Sequence, residues 1–122
     1  MLLALALALC AAGPATAGKP APSRVLATGD DTPKYLLQLS RTKVVPGPAS
    51  IQFANTGEDP HNLEFQRVGS SAVRSVGEVE PGETANLTIG HLHKHSKYRL
   101  FCSLPGHAAR GMEAFLKTKY HR

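Results

Sequence analysis

Hydrophobic and polar residues alternate over short stretches of this chain, and turn-forming residues separate those stretches. The segments with strand-like composition are 35–39, 50–54, 62–66, 84–89, 98–102 and 113–117. Gly, Pro, Asn and Asp cluster between them, and no long segment has the 3.6-residue period of an amphipathic helix. The pattern predicts an all-β fold, an antiparallel Greek-key β-sandwich of seven to eight strands around one core.

The N-terminal segment differs from the rest of the chain. Residues 1–12 are an almost unbroken Leu/Ala run, too short to span a bilayer, and Ala15-Thr16-Ala17 follows as a small-x-small triplet. We therefore predict a signal peptide at 1–17, a flexible Pro-rich spacer at 18–24 and the folded domain at 25–122. Lipid modification of Cys10 is an alternative, although the residue before it, Leu9, is larger than such a site favours.

Export changes how the remaining cysteine is interpreted. The chain has two cysteines, and removal of Cys10 with the signal leaves Cys102 without an internal disulfide partner. A lone thiol in an oxidising compartment is a liability unless it is buried or bound. The sequence thus favours a periplasmic or extracellular protein in which Cys102 is a metal thiolate.

The charge of the chain is moderately positive, at +5 with a pI of about 9.5. A spread of Lys and Arg suits an acidic protein partner or an anionic surface, including peripheral association with a membrane. Nucleic acid is excluded as a partner, because the basic residues are not clustered and aromatic residues make up only 6% of the chain.

One segment carries the candidate chemistry. Cys102, His107 and Met112 form the pattern C-x4-H-x4-M between two predicted strands, and His61 follows a turn far upstream. Each residue alone has an ordinary structural explanation: a buried thiol, a packed thioether, a turn histidine. Together, two imidazoles, a thiolate and a thioether suit copper in both oxidation states, whereas zinc has no need of the Met.

The same segments resemble the cupredoxins, the small blue-copper electron carriers. The resemblance runs in order through 46–48, 55–63, 81–83 and 98–112, and the two four-residue gaps are similar to the rusticyanin and auracyanin branch. It implies one copper ion with His61, Cys102 and His107 as near-trigonal ligands and Met112 as a weak axial ligand. It also implies that Asn62 ties the ligand loops together near Ser103.

The resemblance further implies a function in electron transfer. The protein would be a monomer that passes single electrons by Cu(I)/Cu(II) cycling, without enzymatic activity. Redox partners such as cytochromes or oxidases would dock near His107, within an apolar collar of Leu104, Pro105, Ala108 and Ala109. The alternative is a copper-binding protein that stores or delivers the metal without a redox role.

A second histidine group lies outside this pattern. His91, His93 and His95 alternate, so a strand would place them on one face and could create another metal site. The surrounding residues favour a solvated basic turn at the end of the sandwich opposite the copper loop. We expect any metal binding there to be adventitious, and the sequence shows no motif for hydrolytic catalysis.

Overall fold

The computed structural model describes residues 21–119, which fold into nine β-strands. The strands are β1 (Ser23–Asp30), β2 (Leu36–Leu39), β3 (Lys43–Val44), β4 (Gly47–Asn55), β5 (His61–Arg67), β6 (Val73–Val79), β7 (Thr84–Leu92), β8 (Lys97–Phe101) and β9 (Glu113–Thr118). The predicted signal peptide at 1–17 and Cys10 lie outside the described residues. Within 21–119, no helix has the length and hydrophobicity needed to cross a membrane.

The strands form two sheets, with the orders β2-β1-β4-β7 and β3-β9-β8-β5-β6. The predicted β-sandwich is confirmed. Each sheet is mixed rather than purely antiparallel, because β1 pairs with β4 and β3 pairs with β9 in parallel. Alternation reveals which face of a strand is buried but not the direction of its neighbour, so the sequence pattern could not indicate these two pairs.

The core lies between the sheets and follows from the alternation. In β4, Ala49, Ile51 and Phe53 are fully buried, while the side chains between them are not. Burying an Ile or Phe side chain contributes about 1.5–3 kcal/mol relative to leaving it exposed. Leu63 in β5 and Leu100 in β8 supply the facing layer from the second sheet and are also fully buried.

The topology brings several loops to one end of the sandwich, which we call the site end. The segments after β1 and β4 lie there because those strands are parallel, and Gly29 pairs with Asn55 near their ends. In the second sheet, β8 runs antiparallel to β5 and β9, so the end of β8 meets the beginnings of both. The turn after β7 lies at the opposite end, where Leu92 pairs with Gly47.

Candidate metal centre

All four predicted ligand residues lie at the site end. His61 is the first residue of β5, and Cys102 directly follows the last residue of β8. Met112 directly precedes β9, and His107 lies in the loop between Cys102 and Met112. Strand ends therefore fix three of the four residues, and only His107 depends on the loop for its position.

Three of these side chains converge on one point. One ligand atom from each of His61, Cys102 and His107 lies within 4.8 Å of the other two. The Nδ1 atoms of the two histidines are 3.1 Å apart, and Cys102 Sγ lies 3.5 Å from His107 Nδ1. His61 is 0% and Cys102 1% exposed, whereas His107 is half-buried and reaches the surface.

Met112 is held beside this cluster by its backbone. Cys102 N–H donates to the Met112 carbonyl at 3.1 Å, and Met112 N–H donates to the His107 carbonyl at 3.1 Å. The Met112 side chain is fully buried against Gly29, where its Cε would lie only 2.9 Å from an added Cβ. These backbone bonds close the loop from Cys102 to Met112. The role of Met112 as an axial ligand stays a prediction.

The predicted tie between the ligand loops is confirmed. Asn62 Nδ2 donates to Ser103 Oγ at 2.8 Å, and Ser103 N–H donates to Asn62 Oδ1 at 2.7 Å. The backbone N–H of Asn62 also points at Cys102 Sγ, at 3.5 Å. Such contacts orient the predicted ligand side chains, and a hydrogen bond to the sulfur lowers its electron density.

Asp31 is a site residue that the sequence did not indicate. Its Oδ2 lies 2.6 Å from His61 Nε2, and it also accepts backbone N–H groups of Glu58 and Asp59. Burial alone would raise the pKa of the Asp31 carboxyl, but these hydrogen bonds and one from Thr32 hold that pKa well below its ordinary value. The carboxylate is therefore ionised beside the buried His61.

Gly57 makes room for this contact. A Cβ at Gly57 would lie 2.5 Å from Asp31 Oδ2 and 3.0 Å from His61 Nε2. The turn after β4 can approach both side chains only because this residue has none. The sequence marks Asn55-Thr56-Gly57 as a turn but gives no signal that its glycine faces a carboxylate.

Tyr35 covers the histidine pair from the segment before β2. Its ring centroid lies 4.7 Å from that of His107 and 6.2 Å from that of His61. The guanidinium of Arg110 also packs on the tyrosine, 5.3 Å from its ring centroid. A Cβ on Gly111, which has a φ of +129°, would collide with the Tyr35 carbonyl oxygen. Gly111 is thus required for the loop to pass close to Tyr35.

The second histidine group does not form a comparable cluster. Within residues 21–119, the one set of three His, Cys, Asp or Glu ligand atoms close enough for a shared metal is that of His61, Cys102 and His107. The rings of His91 and His93 pack edge to face with centroids 5.4 Å apart, and both residues are exposed. His91 lies among the last residues of β7, within the strand rather than in the predicted turn, and His93 directly follows that strand. Both lie at the end of the sandwich opposite the metal centre, as predicted.

The family of the chain follows from comparison with known proteins. Residues 26–119 match the model of the copper-binding proteins of the plastocyanin/azurin family. The chain belongs to this family of copper-binding proteins. Among curated proteins, no sequence matches it.

Two solved structures show that this copper-binding protein has the cupredoxin fold. An azurin from the obligate methylotroph Methylomonas sp. strain J aligns with a TM-score of 0.58 at 18% identity, covering 84% of this chain and 100% of the azurin. Dithionite-reduced auracyanin from the photosynthetic bacterium Roseiflexus castenholzii aligns with a TM-score of 0.59 at 12% identity, covering 83% and 98%. The predicted cupredoxin resemblance is confirmed.

The donor set of this cupredoxin fits the copper that the family binds. Cys102 is a free, buried thiol with two imidazole nitrogens close to its sulfur, which is a soft-to-borderline set. Burial, followed by the neighbouring His61, lowers the pKa of His107 below its ordinary value. A lowered pKa keeps the imidazole neutral at neutral pH, which is the form that binds a metal.

Proposed function

We propose that this protein is an exported type 1 copper protein that carries single electrons between redox partners. His61, Cys102 and His107 would hold the copper strongly and Met112 would hold it weakly. When bound, copper supplies the reversible one-electron couple. The observation that carries the proposal is the convergence of the two histidine Nδ1 atoms and the Cys102 sulfur at one point.

The stiffness of the surrounding chain supports an electron carrier. The backbone bonds of Met112 to Cys102 and His107 close the ligand loop, and Asn62 joins that loop to β5. A cage that keeps its shape limits the rearrangement that accompanies a change of oxidation state, and such a cage favours rapid electron transfer over release of the metal. This rigidity is the reason to prefer an electron carrier to a storage or delivery protein.

The exposed edge of His107 suggests where partners dock. Leu104 and Ala108 are half-exposed beside it, and Pro105 and Ala109 are exposed. A small apolar surface of this kind suits a brief, weak encounter, and the net charge of +5 favours acidic partners. Docking there would place a partner's redox centre near the ligand that lies closest to the surface.

The proposal is tested by the spectra of the copper-loaded protein purified from the full chain. We expect an intense visible thiolate-to-copper band, a type 1 EPR signal and a reversible one-electron couple. Cys102→Ser should abolish the band. The matched control is His91→Gln/His93→Gln, which removes imidazoles remote from the centre and should leave the band unchanged.

Two results would contradict the proposal. Stoichiometric copper without the thiolate band, or without a reversible couple, would indicate storage or delivery instead. Copper binding that survives Cys102→Ser but is lost in His91→Gln/His93→Gln would place the metal at the turn after β7. Export is tested separately: fractionation should place the protein outside the cytoplasm, and its N-terminal sequence should begin after Ala17 or, if lipidated, at Cys10.

A further inference from the structure

We propose that Asp31 is a positioning residue for copper: its carboxylate holds His61 with Nδ1 facing the metal and stabilises Cu(II) relative to Cu(I). This inference rests on the proposed function, because it assigns a role toward the same metal centre. It concerns a residue that donates no ligand atom of its own.

The two ring nitrogens of His61 have different partners. Nε2 lies 2.6 Å from Asp31 Oδ2, whereas Nδ1 faces His107 Nδ1 at 3.1 Å. An ionised carboxylate only accepts hydrogen bonds, so Nε2 must carry a proton, and in the neutral ring Nδ1 then presents its lone pair to the cluster. The hydrogen bond therefore selects the tautomer that can bind a metal through Nδ1.

The carboxylate is itself fixed in place. Asp31 Oδ2 accepts Asp59 N–H at 2.9 Å, both oxygens accept Glu58 N–H, and Oδ1 accepts the Thr32 hydroxyl at 2.9 Å. The side chains of Asp31 and His61 are 4% and 0% exposed. These donors from Thr32, Glu58 and Asp59 keep the carboxylate from turning toward solvent. The carboxylate in turn fixes the ring of His61 at the start of β5.

The charge of Asp31 acts differently on the two oxidation states. Two neutral imidazoles and one thiolate leave a Cu(II) centre with a net positive charge and a Cu(I) centre with none. A buried carboxylate behind one imidazole therefore attracts the oxidised centre more strongly, and solvent screens this attraction little. We expect Asp31 to increase the Cu(II) affinity more than the Cu(I) affinity and so to lower the reduction potential.

Asp31→Asn removes the charge of the side chain but keeps its size and shape. The amide oxygen can take the place of Oδ2 and keep accepting from His61, Asp59 and Glu58, and the amide nitrogen can donate to the Thr32 hydroxyl. The bond from Glu58 N–H to Oδ1 is lost. The matched control is Asp30→Asn, which removes the same charge from the adjacent residue. The Asp30 side chain forms local hydrogen bonds instead: its Oδ1 accepts the backbone N–H groups of Asp31 and Thr32.

The readouts are the Cu(II) and Cu(I) affinities, the reduction potential, and the nitrogen NMR spectrum of the histidine rings in the metal-free protein. We expect Asp31→Asn to lower the Cu(II) affinity about 10- to 100-fold. The Cu(I) affinity should fall less, and each tenfold difference between the two losses raises the potential by about 59 mV. Asp30→Asn should leave all three values near those of the wild type. In metal-free Asp31→Ala, the single Nε2–H tautomer of His61 should become a mixture.

Three results would overturn the inference. Equal losses of Cu(II) and Cu(I) affinity, with an unchanged potential, would mean that Asp31 only supports the fold. Equal shifts in Asp31→Asn and Asp30→Asn would mean that any charge in the loop suffices. An unchanged tautomer in metal-free Asp31→Ala would mean that other contacts orient His61.

The fold and the proposed function are checked independently. If Asp31→Asn does not fold, Gly57→Ala replaces it, because its Cβ would collide with Asp31 Oδ2 and separate the carboxylate from His61. The charge stays nearby in this variant, so the required result is the tautomer mixture of His61 in the metal-free protein. If wild type binds no copper, the proposed function fails, while the metal-free NMR experiment still decides whether Asp31 sets the His61 tautomer.

Discussion

Asn62 and Ser103 are joined by two hydrogen bonds, of 2.8 and 2.7 Å, that bridge the segments carrying His61 and Cys102. Each residue directly follows a proposed ligand in the sequence, so this one contact fixes the spacing between two strands at the point where the metal centre forms. Ser103 Oγ also donates to Glu64 at 3.1 Å, which extends the contact to a second residue of β5.

Asn62→Ala should lower the free energy of unfolding of the metal-free protein by about 1–3 kcal/mol, because a net hydrogen bond contributes about 0.5–1.5 kcal/mol and two are lost. Urea unfolding measures this change. The control is Gln66→Ala, which removes one exposed hydrogen bond to the Ser70 carbonyl and should cost less than about 0.5 kcal/mol. Equal losses in the two variants would show that the bridge does not stabilise the fold.

Gly111→Ala should destabilise the protein by more than about 1 kcal/mol, because alanine at positive φ is strained and its Cβ would also meet the Tyr35 carbonyl. The control is Gly47→Ala, which has a similar φ of +116° but no atom within 4 Å of the added Cβ. The difference between their urea midpoints isolates the collision. If Gly47→Ala is equally destabilised, the close approach of Tyr35 is of no consequence.

The sequence predicted the strands in which buried and exposed residues alternate. Strands β4, β5 and β7 bury every second residue over part of their length, and their pattern is visible without coordinates. Strand β6 was not predicted, because it lies at the edge of its sheet and buries only Val79 fully, which leaves little alternation to detect. Strand β1 begins at Ser23, inside the segment predicted to be a Pro-rich spacer, and parallel pairing with β4 holds it there.

The four proposed ligands were predicted because their chemistry is unusual and three of them are close in sequence. Asp31 was not predicted as a site residue, because it precedes His61 by 30 residues and its Asp-Thr-Pro context is typical of an ordinary turn. The contact arises from topology: parallel pairing of β1 and β4 places their following loops at the same end as the first residue of β5. No local sequence pattern indicates such a contact.

Glu113→Gln should change the free energy of unfolding by less than about 1 kcal/mol, although Arg99 Nη2 and Glu113 Oε2 are only 2.7 Å apart. Both side chains are about a third exposed, at 34% and 33%, so water and salt screen the pair. Arg99→Ala should cost more, because its guanidinium also lies 3.9 Å from the Phe101 ring centroid. Urea unfolding at low salt and at about 1 M NaCl tests both; a larger loss for Glu113→Gln than for Arg99→Ala would refute the ranking.

The metal-free protein should lose stability as the pH falls through the ordinary histidine pKa of 6.5. The pKa of His107 is lowered in the folded state, so the unfolded chain binds a proton first and protonation favours unfolding. This contribution is complete above the unfolded value and is lost progressively below it. Asp31 contributes to stability over a separate pH range, because its pKa is lowered from 3.8 and its contribution is lost only at more acidic pH.

Urea unfolding of the metal-free wild type and His107→Gln between about pH 5 and 7.5 tests this prediction around the histidine pKa. The wild type should show the steeper decline toward acid pH, because glutamine cannot be protonated at this position. Parallel profiles for wild type and His107→Gln would show that the fold does not disfavour the protonated imidazole, and a neutral, metal-ready His107 would then lose its physical basis.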